Sequence, residues 1–264
     1  GGPSFASPSS SLAEPPGPCG GPSFASPSSS LAEPPGPCGG PSFASPSSSL
    51  AEPPGPTEWF SPANGVGPWQ GPLPSDSRYD PELLREGDRR NVVDAYRYWT
   101  REAIVADIDR RRHRLHVAIE NFGHDANIGS VVRTANAFAV DTVHIVGRRR
   151  WNRRGAMVTD RYQRLLHHET ASELLDFAAQ QGLTVVAVDN VAGAVRLEQT
   201  ALPVDCLLVF GSEGLGISDE ARAGADLTVS IAQFGSTRSI NVGVAAGIVM
   251  HAWISRHGHL DQAW

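Results

Sequence analysis

The residues of this chain best suited to chemistry are a few polar side chains set inside otherwise apolar sequence in its second half. In Asn127-Ile-Gly-Ser-Val-Val-Arg133-Thr134, Asn127 stands where it would cap a helix and leave amide donors at the helix N-terminus, and Gly129 removes a side chain where a ligand backbone could approach. Arg133 lies about a turn and a half further on. Its sequence neighbours are Val131, Val132, Ala135 and Phe138, and an unpaired guanidinium in such surroundings is costly, so an anionic or polar partner is expected. A second segment, Gly211-Ser-Glu213-Gly-Leu-Gly216, is a glycine-rich turn after an apolar run. Its spacing is G-x-x-G-x-G rather than G-x-G-x-x-G, and Glu213 would repel a phosphate, which argues against a dinucleotide site. On the residues alone, Glu213 reads as a cap for the helix near Ser218. In a third segment, Ser239-Ile240-Asn241-Val242 enters the small-residue run Gly243-Val-Ala-Ala-Gly247. Small residues let a helix press closely against another backbone, which suits a tightly threaded or dimeric packing site.

The elements that must position these groups alternate. Residues 115–119, 142–146, 183–188, 206–210 and 227–231 are short and rich in β-branched residues, as buried parallel strands are. Helical patterns cover 129–138, 171–181, 218–223 and 241 to about 256. The expected fold class is therefore α/β, a mostly parallel sheet with helices on both faces. Upstream, residues 81–109 read as one or two amphipathic helices packed through Val92, Val93, Tyr96, Tyr98, Trp99, Ile104 and Ile108. This segment is taken as an N-terminal extension (58–113) of the main domain (114–258), with 259–264 as a C-terminal tail.

The opening is a repeated unit: Gly1 to Cys19 recurs as Gly20 to Cys38 and again from Gly39 to Pro56, where Thr57 replaces the cysteine. It is Pro, Gly, Ser and Ala with one Leu and one Phe per copy, too little apolar surface to offset chain entropy, so residues 1–57 are expected to be a disordered tail. A polyproline recognition tail is the alternative, but no basic residue accompanies the prolines. The unit also lacks the basic n-region and continuous apolar run of a secretory signal, and no stretch approaches the ~18 apolar residues of a membrane span. Cys19 and Cys38 fall in the repeats and Cys206 in a strand pattern, which gives neither a disulfide framework nor a zinc spacing. The adjacent His167 and His168 and the other histidines form no ligand pattern, so no metal is expected. A cytoplasmic protein is expected.

The formal charge of −6 discourages a nucleic-acid reading only superficially, because the repeats supply acid without base. Every basic residue is Arg, a planar fork able to grip phosphate bidentately or stack on a base. Two clusters stand out. The run 110–114 ends a helix and reads equally well as solvated surface or as a polyanion contact. The second, with Arg148, Arg149, Arg150, Trp151, Arg153 and Arg154, follows a strand and carries an aromatic, which favours RNA contact with a base on Trp151.

In order and spacing the three segments resemble the signature motifs of the SpoU-type (TrmH-like) RNA ribose 2′-O-methyltransferases of the SPOUT superfamily, over residues 115 to about 257. The resemblance implies a deep trefoil knot whose loops hold S-adenosylmethionine, largely through main-chain contacts, at Gly211, Ile231 and Ile240. It implies an active-site group of Asn127, Arg133, Glu213, Ser239 and Asn241, with Arg133 engaging the target ribose hydroxyl. Arg is hardly ever deprotonated, so orienting the hydroxyl and stabilising its developing charge is the role to expect. Ser212 stands where relatives often have Asn, and Gly243 where many have Ser. The resemblance also implies a homodimer, for which the Gly243 to Gly247 face and the stripe Val249, Trp253, Ile254 offer surface that could pack inward and against a twofold mate. A SPOUT base-nitrogen methyltransferase and a non-catalytic RNA-binding protein are the other readings. Arg133 together with the Ser239-x-Asn241 pattern favours the ribose of tRNA or rRNA.

Overall fold

The computed structural model describes residues 65–122, 127–212 and 214–262, so the expected repeat tail lies outside the described residues. The strands are β1 (His113–Asn121), β2 (Val140–Gly147), β3 (Arg164–His168), β4 (Thr184–Val188), β5 (Val195–Arg196), β6 (Cys206–Phe210) and β7 (Leu227–Ser230). They form one sheet in the order β3-β2-β1-β6-β4-β7-β5, with every pairing parallel. The helices are α1 (Pro81–Glu86), α2 (Arg101–Asp109), α3 (Ile128–Ala137), α4 (Ala171–Gln181), α5 (Asp219–Ala223) and α6 (Val242–His257).

β6 shows why the sheet is buried on both sides. Leu208 and Phe210 meet Ile128 and Val132 of α3 and Met250 and Trp253 of α6. The alternate residues Leu207 and Val209 meet Leu174 and Ala178 of α4 and Ala221 of α5. The Cys206 thiol, buried as the strand pattern implies, is pushed up to about 12 by desolvation. β3 and β5 were not expected. They are the two edge strands, and the sequence Arg-Leu-Leu-His-His of β3 lacks the β-branched run that marks a central strand.

The extension is two short helices joined through a 3₁₀ turn at Asp94–Tyr96. Tyr96 and Ile104 are buried with Val92, Trp99 and Ile108 against them. Val93 is exposed instead, because the 3₁₀ turn breaks the helical period that would have turned it inward. The fully buried Asp88 takes hydrogen bonds from the Arg90 guanidinium at 2.7 and 2.9 Å and from the Tyr98 amide at 2.9 Å. Burial alone would raise its carboxyl, but these partners hold it below the usual carboxylate range.

Three histidines make an internal chain across β1, β2 and β3: His116 Nδ1 to His144 Nε2 at 3.0 Å and His144 Nδ1 to His168 Nε2 at 2.9 Å. Phe177 of α4 packs its ring on His144 at 4.8 Å. Burial, reinforced by the two neighbouring imidazoles, depresses His144 to about 2. A histidine held neutral by the fold contributes stability above its unfolded pKa of ~6.5, and that stability is lost as pH falls below it, at about 1.4 kcal/mol per pH unit. Thermal unfolding should accordingly move to lower temperature between pH 7 and 5, and His144→Leu should flatten that slope. An unchanged slope in the variant would exclude His144 as its source.

Candidate functional site

The segments following the C-terminal ends of β4, β6 and β7 enclose a cleft of about 400 Å³, the size of a small-molecule site and at the end of a parallel sheet where ligands bind. One wall is the glycine turn after β6. Ser212 and Gly216 exchange backbone hydrogen bonds at 3.0 and 3.1 Å, folding the turn back on itself. Gly214 and Gly216 have φ of 98° and 72°, which favour glycine, and a Cβ on Gly211 would lie 2.0 Å from the Gly216 carbonyl carbon. The far end of the turn is pinned by Ser218, whose N–H and hydroxyl donate to the buried Glu120 at 2.7 and 2.5 Å. Burial raises the Glu120 carboxyl above its ordinary range, with the Ser218 bonds acting in the opposite sense. Ser218 itself caps α5 by accepting from Ala221 N, so the capping role read for Glu213 is already filled. Glu213 lies outside the described residues.

The opposite wall is the segment between β7 and α6, including Ile231, Gln233, Ser239, Ile240 and Asn241. Asn241 uses both ends of its amide. Its Oδ1 caps α6 by accepting from Gly243 and Val244 N–H at 3.0 and 3.2 Å, while its Nδ2 donates to Asn127 Oδ1 at 2.9 Å. The first and third motifs, more than a hundred residues apart, meet through this bond. Asn127 precedes α3 but makes no side-chain cap to it; the oxygen expected to cap the helix is taken by Asn241. Gly129 likewise serves the chain rather than a ligand, because a Cβ there would sit 2.7 Å from both Gly155 Cα and Ala156 N.

Arg133 is exposed. Val131, Val132 and Ala135 turn into the core, and Arg133 falls on the opposite face of α3, so its apolar sequence neighbours are not neighbours in space. The expected partner within the chain is absent among the described residues, and the guanidinium stands available to another molecule. The cleft wall therefore brings together Gly211, Ile231, Ser239, Ile240 and Asn241, with Asn127 attached through Asn241 and Arg133 outside the wall. It also contains Asp189 and Asn190, which the sequence reading missed. Their signal was a polar pair directly after the apolar run of β4. Asn190 Nδ2 donates to the Arg238 carbonyl at 3.1 Å and so ties the β7–α6 segment to the sheet.

Two atoms test what the cleft could hold. Ser212 Oγ and Gln233 Oε1 are buried with no hydrogen-bond partner among the described residues, and both residues line the cleft. Buried polar groups are normally satisfied, so both orphans call for a ligand with hydrogen-bonding groups.

The two arginine clusters part ways. Arg110 and Arg111 pair with Asp107, and Arg114 with Asp205. Arg112, its side chain 2% exposed, binds Asp109 at 2.6 Å and the carbonyls of Val140 and Tyr162. Arg112 is thus an internal clamp, while Arg110 and Arg114 stay exposed within their ion pairs. Arg148, Arg149, Arg150 and Arg154 are exposed and have no acidic partner among the described residues, while Arg153 reaches Asp160 at 3.3 Å. Asn121 Nδ2 donates to the carbonyls of Arg148 and Arg150 and fixes the segment to β1. Trp151 packs against the core, with the Arg153 guanidinium 5.7 Å from its ring; its ring is less open to a base than the sequence suggested.

Residues 114–251 match the model of the SpoU rRNA Methylase family, and the chain belongs to that family. It is 28% identical over 156 residues to the tRNA (guanosine(18)-2′-O)-methyltransferase of Escherichia coli K12, covering 58% of this chain and 68% of that one. An uncharacterized tRNA/rRNA methyltransferase of Mycolicibacterium smegmatis is 34% identical over 144 residues, covering 51% of this chain and 44% of that one. The fold is shared with the crystal structure of the A. aeolicus TrmH/SpoU tRNA modifying enzyme, at a TM-score of 0.54 and 21% identity over 62% of this chain and 86% of that one.

Proposed function

We propose that this chain is an S-adenosylmethionine-dependent methyltransferase acting on a ribose 2′-hydroxyl of tRNA or rRNA. The observation that carries the reading is the Asn241–Asn127 hydrogen bond, which joins the first motif to the wall of a cleft built from the second and third. The names of the curated relatives agree in reaction type.

When bound, S-adenosylmethionine supplies an electrophilic methyl group. The residues present fit it: Ile231 and Ile240 give apolar wall, Gly211 lets the turn after β6 fold close enough to form the opposite wall, and Ser212 Oγ and Gln233 Oε1 offer unused hydrogen-bonding atoms. Arg133 orients the 2′-hydroxyl of the incoming ribose and stabilises the negative charge that develops on its oxygen. Asn127, Glu213, Ser239 and Asn241 are assigned to the same catalytic group. Arg148, Arg149, Arg150, Arg153 and Arg154 hold the RNA phosphates.

We place the enzyme in the cytoplasm as a homodimer. Among the described residues no helix is long and apolar enough to cross a membrane. The stripe expected to serve a twofold mate faces inward, since Val249, Trp253 and Ile254 are buried against the sheet by the period of α6. The outward face of that helix instead offers Val244 and Ile248, 55% and 40% exposed. Calorimetry tests the cofactor: S-adenosylmethionine should give binding heat and NAD none. Heat from NAD alone would overturn the reading.

A further inference from the structure

Beside the unpaired arginines the backbone does something unusual. Met157 and Val158, consecutive and neither of them glycine, have φ of 47° and 70°. A β-branched residue at positive φ is a steric outlier, and such conformations persist where the surroundings over-determine them, typically at functional sites. Here the surroundings are two 3₁₀ turns, Arg153–Ala156 before the pair and Thr159–Arg161 after it. The first turn is seated on α3 through the Gly129–Gly155 backbone contact, and Thr159 Oγ1 donates to the Ala156 carbonyl at 2.6 Å beneath the pair. The consequence is that both apolar side chains are thrust outward, Met157 51% and Val158 48% exposed.

Around this apolar tip stand Arg154 and Arg161, both exposed and without an acidic partner among the described residues. A partner for it must therefore be polyanionic and also present apolar faces. A second copy of this chain fits poorly, because a twofold contact here would set unpaired arginines against each other. A regular RNA duplex also fits poorly, since its base faces are stacked away. RNA with unpaired bases meets both demands: phosphates for the arginines and exposed base faces for the tip.

We propose that the Met157–Val158 turn is a rigid apolar wedge that packs against unstacked bases beside the target nucleotide, making this enzyme a reader of looped or single-stranded RNA. The inference rests on the RNA reading given above, and it adds Arg161 to the phosphate contacts. The wedge is held on the same helix, α3, that carries Arg133, so a strand gripped there is delivered to that residue.

The test uses the full chain and two synthetic RNAs of equal length, one unstructured and one duplex, with affinity measured against salt. Glycine adopts positive φ without steric cost, so the double variant Met157→Gly, Val158→Gly removes both side chains while remaining compatible with the turn. It should lose about 10-fold in affinity for the unstructured RNA, the scale of one lost base contact, with the salt slope and the duplex affinity unchanged. Arg149→Ala, Arg154→Ala, Arg161→Ala together should weaken both RNAs and reduce the salt slope by about one unit per lost phosphate contact. If the glycine variant binds both RNAs like the parent while the arginine variant does not, the wedge is wrong and the RNA reading stands. Equal losses on both RNAs also exclude base contact. A change in assembly mass on light scattering would make the turn a subunit contact and overturn the proposal. Should the parent chain bind neither RNA, the RNA reading falls and the wedge with it.

Discussion

Replacing Arg133 by alanine should lower turnover by ~100-fold or more while S-adenosylmethionine affinity stays within about 2-fold of the parent, the pattern expected of a group used mainly in the transition state. The structure makes this separation clean. Arg133 is exposed on α3 and is not part of the cleft wall, so its removal disturbs neither the core nor the cofactor walls. Helix α3 is fixed independently by Ile128, Val131 and Val132 in the core and by the Gly129–Gly155 contact. Arg133→Lys keeps the charge but loses the planar fork, and should recover only part of the rate. Steady-state kinetics with RNA, paired with calorimetry of the cofactor, reads both quantities. Unchanged turnover in the alanine variant would remove Arg133 from the mechanism.

The mirror-image result is expected at Gly211. An alanine Cβ there would lie 2.0 Å from the Gly216 carbonyl carbon and 2.2 Å from the Ile217 nitrogen, both backbone atoms of the turn that walls the cleft. The turn has to shift, and forced backbone shifts of this kind cost ~1–3 kcal/mol, so Gly211→Ala should weaken S-adenosylmethionine by about 10- to 100-fold. The damage should stay local, because the turn is tied down at Ser218 by Glu120 rather than at Gly211. Cofactor binding as tight as the parent's would place the methyl donor elsewhere.

What the sequence made legible follows from where side chains answer to local rules. The five inner strands and four helices of the main domain were readable because buried parallel strands and amphipathic helices impose their period on every residue. β6 and α4 match to the residue, whereas the edge strands β3 and β5 carry no such pattern. Motif identity located Gly211, Ile231, Ser239, Ile240 and Asn241, which the structure gathers on one cleft. Contacts between distant segments were not legible. Nothing local to Asn127 says that its oxygen is claimed by Asn241, and nothing local to Gly129 says that Gly155 lies against it. The same holds for charge. The two arginine runs look alike in one dimension, and only the fold shows that one is folded onto Asp107, Asp109 and Asp205 while the other faces outward. The apolar surroundings expected for Arg133 failed for a related reason, since helical spacing separates residues that sequence places side by side.

Methyl transfer to ribose is read out by nucleoside mass spectrometry of tRNA and rRNA incubated with the full chain and S-adenosylmethionine. A new nucleoside should appear whose added methyl mass stays with the ribose fragment on dissociation, and its yield at early times should fall by ~100-fold or more when Arg133→Ala replaces the parent. A methyl mass retained on the base fragment, or no methylated nucleoside in either RNA, would contradict it.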